Sequence, residues 1–319
     1  MVVMQAYARL LRDLVLTGLV LALVLVSAAC SKPSGGGSDT AESKSSGTAA
    51  ATPGDAAASM RIVSVGGPVT EIVFALGAGA DVVGVDTSSV FPESAQKLPQ
   101  VGYQRSLSSE GVLSLRPTIV IASSDAGPPP VLEQLRSAGV RVEIISVDPT
   151  VEAAKARIRA VGKLLGRDAE PLVASLERDL TRARISLEKA KSRPKVLAVY
   201  ARGASTLHVL GKGTAGESLV ELAGGENVGN VFEGSKPMTA ESVVQAAPDF
   251  VLIPSRGLES VGGVEGLSKL PGISETPAGR AKRFIALDDL LMLGFGPRTG
   301  TAVLELGQKL HPDLTSASP

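Results

Sequence analysis

Tyr103 and Tyr200 are each followed two positions later by an arginine, Arg105 in VGYQRS and Arg202 in VYARGAS. The chain holds three tyrosines, and the third, Tyr7, falls in an apolar leader, so both tyrosines of the remaining body carry this pairing. A free phenol has a pKa of about 10 and is neutral under ordinary conditions. A guanidinium beside it favours the phenolate through charge and through a hydrogen bond to the charged form. Phenolate is a hard anionic ligand of the kind that ferric iron takes. A lone tyrosine in a loop is more simply read as a ring packed on the protein surface. Two Tyr-x-Arg pairs from two available tyrosines favour a binding site. Arg256, directly after DFVLIPS, is a third candidate. It is placed to meet Tyr103 across a cleft or to take a ligand carboxylate, and a surface position suits it nearly as well.

Other chemistry has little to stand on. His208 and His311 are the only histidines, and neither lies in HExxH or a similar metal spacing. There is no GxSxG and no Walker loop, and GVDTSS, GKGTAGES and VGGVEG are glycine turns too loose to hold a nucleotide. His208 reads as a surface or packing residue whose nearness to Arg202 leaves a ligand role open, and His311 as part of a frayed tail. A single cysteine excludes a disulfide and a CxxC pair. An exported α/β enzyme is therefore a remote alternative, no nucleophile–base pair being present. Lys and Arg together number 32, as do Asp and Glu. That balance argues against a nucleic-acid partner, which calls for a basic surplus.

The leader MVVMQAYARLLRDLVLTGLVLALVLVSAAC sets Arg9 and Arg12 before an apolar run over 14–26. The run is short of the roughly 20 residues of a membrane span and fits the apolar region of a secretory signal. Small residues then lead into Cys30, and the segment resembles a bacterial lipoprotein signal with Cys30 as the lipidated residue. Acyl chains contribute about 0.8 kcal/mol per buried methylene, enough for firm anchoring when several are present. Residues 1–29 are thus expected to be the signal. Residues 30–60, rich in Gly, Ser, Ala, Thr and Pro, are expected to be a flexible tether, because they cannot bury enough apolar surface to offset ordering.

The elements that must position the tyrosines alternate in kind. Short β-branched runs at 61–65, 82–85, 118–122 and 140–146 are separated by helical stretches, and a second set follows at 195–200, 250–253 and 283–286. TEIVFALGAGADVVG matches GESLVELAGGENVGN without a gap, which sets Glu71 opposite Glu217. SSEGVLSLRPTIVIASS matches TAESVVQAAPDFVLIPS in the same way, which sets Glu110 opposite Glu241. The fold class expected is α/β, with two similar lobes over 61–150 and 194–319 joined by a helical region over 151–193. In such sheets ligands sit beyond the carboxyl ends of the strands. That places Tyr103 in a lobe-one loop and Tyr200 at the end of the first strand of lobe two. SSDAGPPP, after a lobe-one strand, reads as a stiff wall of small residues suited to a flat apolar ligand.

RIVSVGGPVTEIVFALGAGADVVGVDTSS, LPQVGYQRSLSSEGVLSLRPTIVIASS and GVEGLSKLPGISETPAGRAKRFIALDDLLMLGFGPRT resemble the substrate-binding proteins of bacterial haem ABC importers. The first block is shared more loosely with vitamin B12 and ferric-siderophore binding proteins. The resemblance implies two α/β lobes bridged by a rigid interdomain helix, with haem b carried in the cleft as cargo and no catalytic cofactor. It implies that Tyr103 is the axial iron ligand, with Arg105 or Arg256 as its hydrogen-bonding arginine, and that Tyr200 beside Arg202 is a possible second ligand. It also implies that Glu71 and Glu217 are lobe-tip contacts to a permease dimer working with its ATPase subunits. Their repeat-equivalent placement fits a two-fold partner. The expected location is exported and membrane-anchored, periplasmic or on the outer face of the cytoplasmic membrane. Cobalamin or a ferric siderophore is the alternative cargo; these are usually held by tryptophans or arginine clusters, and this chain has no tryptophan.

Overall fold

The structure is a computed structural model in which residues 60–203 and 205–315 are described, all within one compact unit that begins at Asp55. The signal, Cys30 and the tether lie outside the described residues, except Met60, which packs against the first core. Lobe one is built on strands β1 (Ile62–Val65), β2 (Val82–Val85), β5 (Ile119–Ser123) and β6 (Arg141–Ile145), with a small hairpin of β3 (Gly102–Tyr103) and β4 (Ser106–Leu107) between them. The four long strands pair in parallel in the order β2-β1-β5-β6. Every residue of β1 and β5 is buried, as expected of apolar runs covered on both faces. Helices α1 (Gly67–Ala75), α2 (Glu93–Gln96), α3 (Ser109–Ser114) and α4 (Pro129–Ser137) supply the cover.

Two helices follow, α5 (Val151–Leu165) and α6 (Glu170–Leu187). Thr150 caps the first, its Oγ1 accepting from the Ala153 amide, and left-handed Gly166 ends it. Lobe two contains β7 (Lys195–Ala201), β8 (Leu207–Leu210), α7 (Ala215–Leu222), β9 (Glu226–Asn227), β10 (Ser235–Pro237), α8 (Ala240–Ala246) and β11 (Phe250–Pro254). It continues through α9 (Ser255–Ser260), α10 (Gly263–Ser268), α11 (Pro277–Arg280), β12 (Phe284–Leu287), α12 (Asp289–Leu293), α13 (Thr299–Leu310) and α14 (Pro312–Thr315). Its parallel strands run β9-β7-β11-β12, the order of β2-β1-β5-β6 repeated. The sequence echo is thus an echo of topology. What differs is an antiparallel extension of β8 and β10 on the outer side of β7.

The seven strand runs read from the sequence are all present, and the two long helices fall inside 151–193. The short strands β3, β4, β8, β9 and β10 were not anticipated, because β3, β4, β9 and β10 run only two or three residues and the run of β8, LHVL, is broken by His208. His311 is a correction: it is buried at the end of α13 rather than part of a frayed tail.

The bridge between the lobes is α6. Val173 and Leu176 lie in the lobe-one core, Ala183 in the lobe-two core, and Leu180 touches both. At 1.5 Å per residue this helix is about 27 Å long, so it spans both lobes as one rod. Gly300 lets α13 lie close on it: a Cβ there would sit 2.5 Å from the Cβ of Asp179. A second tie runs from α5. Arg157 is buried and donates through Nη1 to the carbonyls of Gly294 (3.2 Å) and Phe295 (2.7 Å) in lobe two, and through Nε and Nη2 to Ser146 (2.7 Å) and Asp148 (3.1 Å) in lobe one. Burial pulls its pKa down to about 10, with the nearby charge of Asp148 opposing that shift. A single guanidinium therefore satisfies four carbonyls on both sides of the interlobe seam.

Arg157→Ala removes all four donors at once and is expected to cost at least about 3 kcal/mol, because buried acceptors are left unpaired. A urea unfolding curve checks this, and an unchanged midpoint would contradict the assigned role.

Candidate functional site

The carboxyl ends of both parallel sheets open on one cavity of about 870 Å³ between the lobes, within the range of small-molecule sites. On the lobe-one side, β1 passes into α1 through Gly66, whose φ of 100° and close approach to Ser123 (2.7 Å from a built Cβ) leave no room for a side chain. Asp86, fully buried after β2, braces this turn. Its carboxylate accepts from the Gly66 amide (2.7 Å), the Ser88 amide (2.9 Å) and the hydroxyls of Ser88 (2.6 Å) and Ser89 (2.7 Å). The floor of the cavity is therefore a saturated polar network, which holds the loops in one arrangement.

Tyr103 stands on the β3–β4 hairpin, exposed to 42% and lining the cavity. The hairpin is stitched to the loop after β5. Gly127 donates its amide to the Gln104 carbonyl (2.8 Å), Leu107 donates to the Gly127 carbonyl (2.9 Å), and the Ser123 hydroxyl donates to Gln104 Oε1 (3.1 Å). Arg105 then donates through Nη1 to the Tyr103 hydroxyl oxygen (3.3 Å) and through Nη2 to Asp125 Oδ2 (2.6 Å). Partial burial works to lower the Arg105 pKa, but the hydrogen bond and charge of Asp125 outweigh it, so the net shift is upward and the guanidinium is held charged. The chain thus orders carboxylate, guanidinium and phenol in a row.

Lobe two is not a copy of this arrangement. Arg202 lies over the ring of Tyr200, 5.0 Å from its centroid, and donates to Asp289 Oδ2 (2.8 Å) rather than to the phenol oxygen. Tyr200 is half-buried and packs against the lobe-two core. His208, its cross-strand partner on β8, also lines the cavity. Asp289 does double service, since Oδ1 accepts from the Arg256 amide (3.0 Å). Arg256 is exposed and lines the same cavity.

The structure therefore brings Tyr103, Arg105, Tyr200, Arg202 and Arg256 to one cavity. It adds two residues that sequence reasoning missed, Asp125 and Asp289. Asp125 sits inside SSDAGPPP, read as a stiff wall of small residues. The partners are 20 and 87 residues apart in the chain, so no local pattern announces them.

Glu71 requires a correction. It is 3% exposed, and its carboxylate accepts from Arg298 Nε (2.8 Å) and Nη2 (3.1 Å), an ion pair that joins α1 of lobe one to the start of α13 in lobe two. Burial raises its pKa above the usual carboxylate value, and the hydrogen bonds and charge of Arg298 offset part of that shift. Arg298 in turn covers the ring of Phe91 at 3.6 Å. A side chain so enclosed cannot dock on a permease. Glu217 is half-buried and turns back on its own helix, with Oε2 accepting from the Gly213 amide (2.7 Å) while the Glu217 amide donates to Thr214 Oγ1 (3.3 Å). That is much like a capping box.

A family model described as periplasmic binding protein matches residues 62–291. Among solved structures, the chain superposes on the periplasmic heme-binding protein RhuT from Roseiflexus sp. RS-1 in apo form with a TM-score of 0.78 and 46% identity, covering 80% of this chain and 99% of that one. The periplasmic heme-binding protein BhuT in complex with two hemes gives a TM-score of 0.75 and 41% identity, over 80% of this chain and 98% of the other. An uncharacterized ABC transporter substrate-binding lipoprotein of Bacillus subtilis, YvrC, is 29% identical over 261 residues, 79% of this chain and 80% of the relative. A vitamin B12-binding protein of Pectobacterium atrosepticum is 26% identical over 199 residues, 60% of this chain and 71% of the relative.

The ion pair between Glu71 and Arg298 generates a stability prediction. Glu71→Gln and Arg298→Gln should each destabilise the protein by about 3 kcal/mol, because either leaves a partly desolvated charge without its partner. The double variant should cost clearly less than the sum. Additive losses in chemical denaturation would show that the two groups are not coupled.

Proposed function

This chain belongs to the periplasmic binding protein family, and from that premise we propose that it captures haem b between its lobes and presents it to the permease of an ABC importer. The observation that carries the reading is the row Asp125–Arg105–Tyr103: a phenol aimed into the cavity, with a guanidinium donating to its oxygen and a carboxylate holding that guanidinium. Phenolate is the form that ligates ferric iron, and the Arg105 guanidinium stands beside the oxygen that would bind it. Tyr103 is therefore the axial ligand and Arg105 its hydrogen-bonding arginine. Tyr200, whose hydroxyl lacks that donation from Arg202, is a wall of the site and at most a secondary ligand. Apolar contacts from Val90, Leu290 and Leu293 suit the faces of a flat macrocycle. The likeness to proteins described as heme-binding, over almost their whole lengths, supports the same cargo.

Vitamin B12 is the second reading, favoured by relatives bearing that name, though at lower identity than the heme-binding structures. Family membership supports a binder of ligands, whose cargo is its substrate. An exported location is supported by the family and by a relative described as a lipoprotein. Anchoring through Cys30 extends that reading. Among the described residues no helix is long and apolar enough to cross a membrane.

The two-fold contact with a permease dimer passes to the other repeat-related pair. Glu110 and Glu241 are each the second residue of a helix capped by Ser108 or Thr239, and both are exposed. They stand at matching places on the two lobes, as a symmetric partner requires.

Absorbance titration of residues 60–319 should show saturable binding of hemin and none of cyanocobalamin, with affinity for hemin falling at least tenfold in Tyr103→Ala. Saturable binding of cobalamin alone would transfer the function to the second reading. In membrane vesicles carrying the cognate permease and ATPase, Glu110→Lys with Glu241→Lys should abolish haem uptake while leaving the hemin titration unchanged. Uptake at the wild-type rate would contradict that contact.

A further inference from the structure

The cavity is lined by three arginines and two aspartates, and the pairing among them is unequal. Arg105 is held by Asp125 at 2.6 Å and Arg202 by Asp289 at 2.8 Å. Arg256 is different. Its backbone amide is fixed by Asp289, yet among the described residues its guanidinium makes no hydrogen bond, ion pair or ring contact. The site therefore carries two internally compensated cations and one that is left over. A guanidinium offers a planar fork of donors that matches a carboxylate in two parallel hydrogen bonds. The hydrogen bond from the Arg256 amide to Asp289 fixes the start of α9, so the base of this side chain is anchored while its head stays available.

We propose that Arg256 is the anchor for a carboxylate of the cargo, and so the residue that orients an iron macrocycle bearing acidic side chains within the cleft. The inference rests on the haem reading above and goes beyond it by dividing the arginines into two jobs. Arg105 and Arg202, each already paired with an aspartate, dress the two tyrosines. Arg256 reads the ligand edge. Asp289 links the jobs, since one of its oxygens holds Arg202 and the other positions the Arg256 backbone. The arrangement predicts discrimination by charge: a macrocycle with its carboxylates masked keeps the iron–phenolate contact and loses the grip of Arg256.

The test compares hemin with hemin dimethyl ester, in which both carboxylates are esterified, by absorbance titration of residues 60–319 and of Arg256→Gln and Arg256→Lys. Wild type should prefer hemin by roughly ten- to a hundredfold, the scale of a hydrogen-bonded charge pair. Arg256→Gln should bind both porphyrins at the affinity of wild type for the ester, and Arg256→Lys should recover part of the preference. Three results would overturn the assignment: a wild type that binds both porphyrins equally, an Arg256→Gln that keeps the full preference, or an Arg256→Gln that weakens both equally. Binding of neither porphyrin to wild type would instead overturn the haem reading itself, and this inference with it.

Discussion

A phenol oxygen becomes a serviceable ligand for ferric iron when a positive group stabilises the charge it must carry, and that group must itself be kept in place. In the proposed site Arg105 fills that place, since Asp125 grips its far side while its near side donates to Tyr103. The pair is mostly exposed and adds little to stability, since ion pairs in water are worth at most about 1 kcal/mol. Its effect is positional. The hairpin around it is tied by three hydrogen bonds to the end of β5 and the loop that follows, and β5 is a fully buried strand.

The second constraint is the spacing of the lobes. A flat ligand held from both sides needs walls at a fixed separation. Three features supply it here: the single rod of α6, the carbonyl cage around Arg157, and the enclosed pair of Glu71 with Arg298. The last two are polar contacts in buried surroundings, where replacing one partner is costly and the geometry is correspondingly specific.

Much of this was legible in the sequence. The parallel strands announce themselves because runs such as IVSV and IVIAS are buried on both faces and read as continuous apolar segments. The two-lobe repeat was visible in aligned helix–strand units and reappears as a repeated strand order. Tyr103 and Arg105 could be paired because they are two residues apart across a tight hairpin. Arg202 has the same spacing yet turns to the ring face, because Asp289 draws its head away from the phenol oxygen. Asp125, Asp289 and Arg298 stayed hidden since their partners are distant in the chain. Glu71 was misplaced for the same reason: repeat matching equates positions on helices, but only the packing of one lobe on the other decides which of two equivalent glutamates is enclosed.

The most direct test of the central claim is resonance Raman spectroscopy of the hemin complex, excited in the phenolate-to-iron charge-transfer band, for wild type, Tyr103→Phe and Tyr200→Phe. The account predicts phenolate modes in wild type and in Tyr200→Phe, and their loss in Tyr103→Phe. Phenolate modes that persist in Tyr103→Phe, or vanish in Tyr200→Phe, would contradict it.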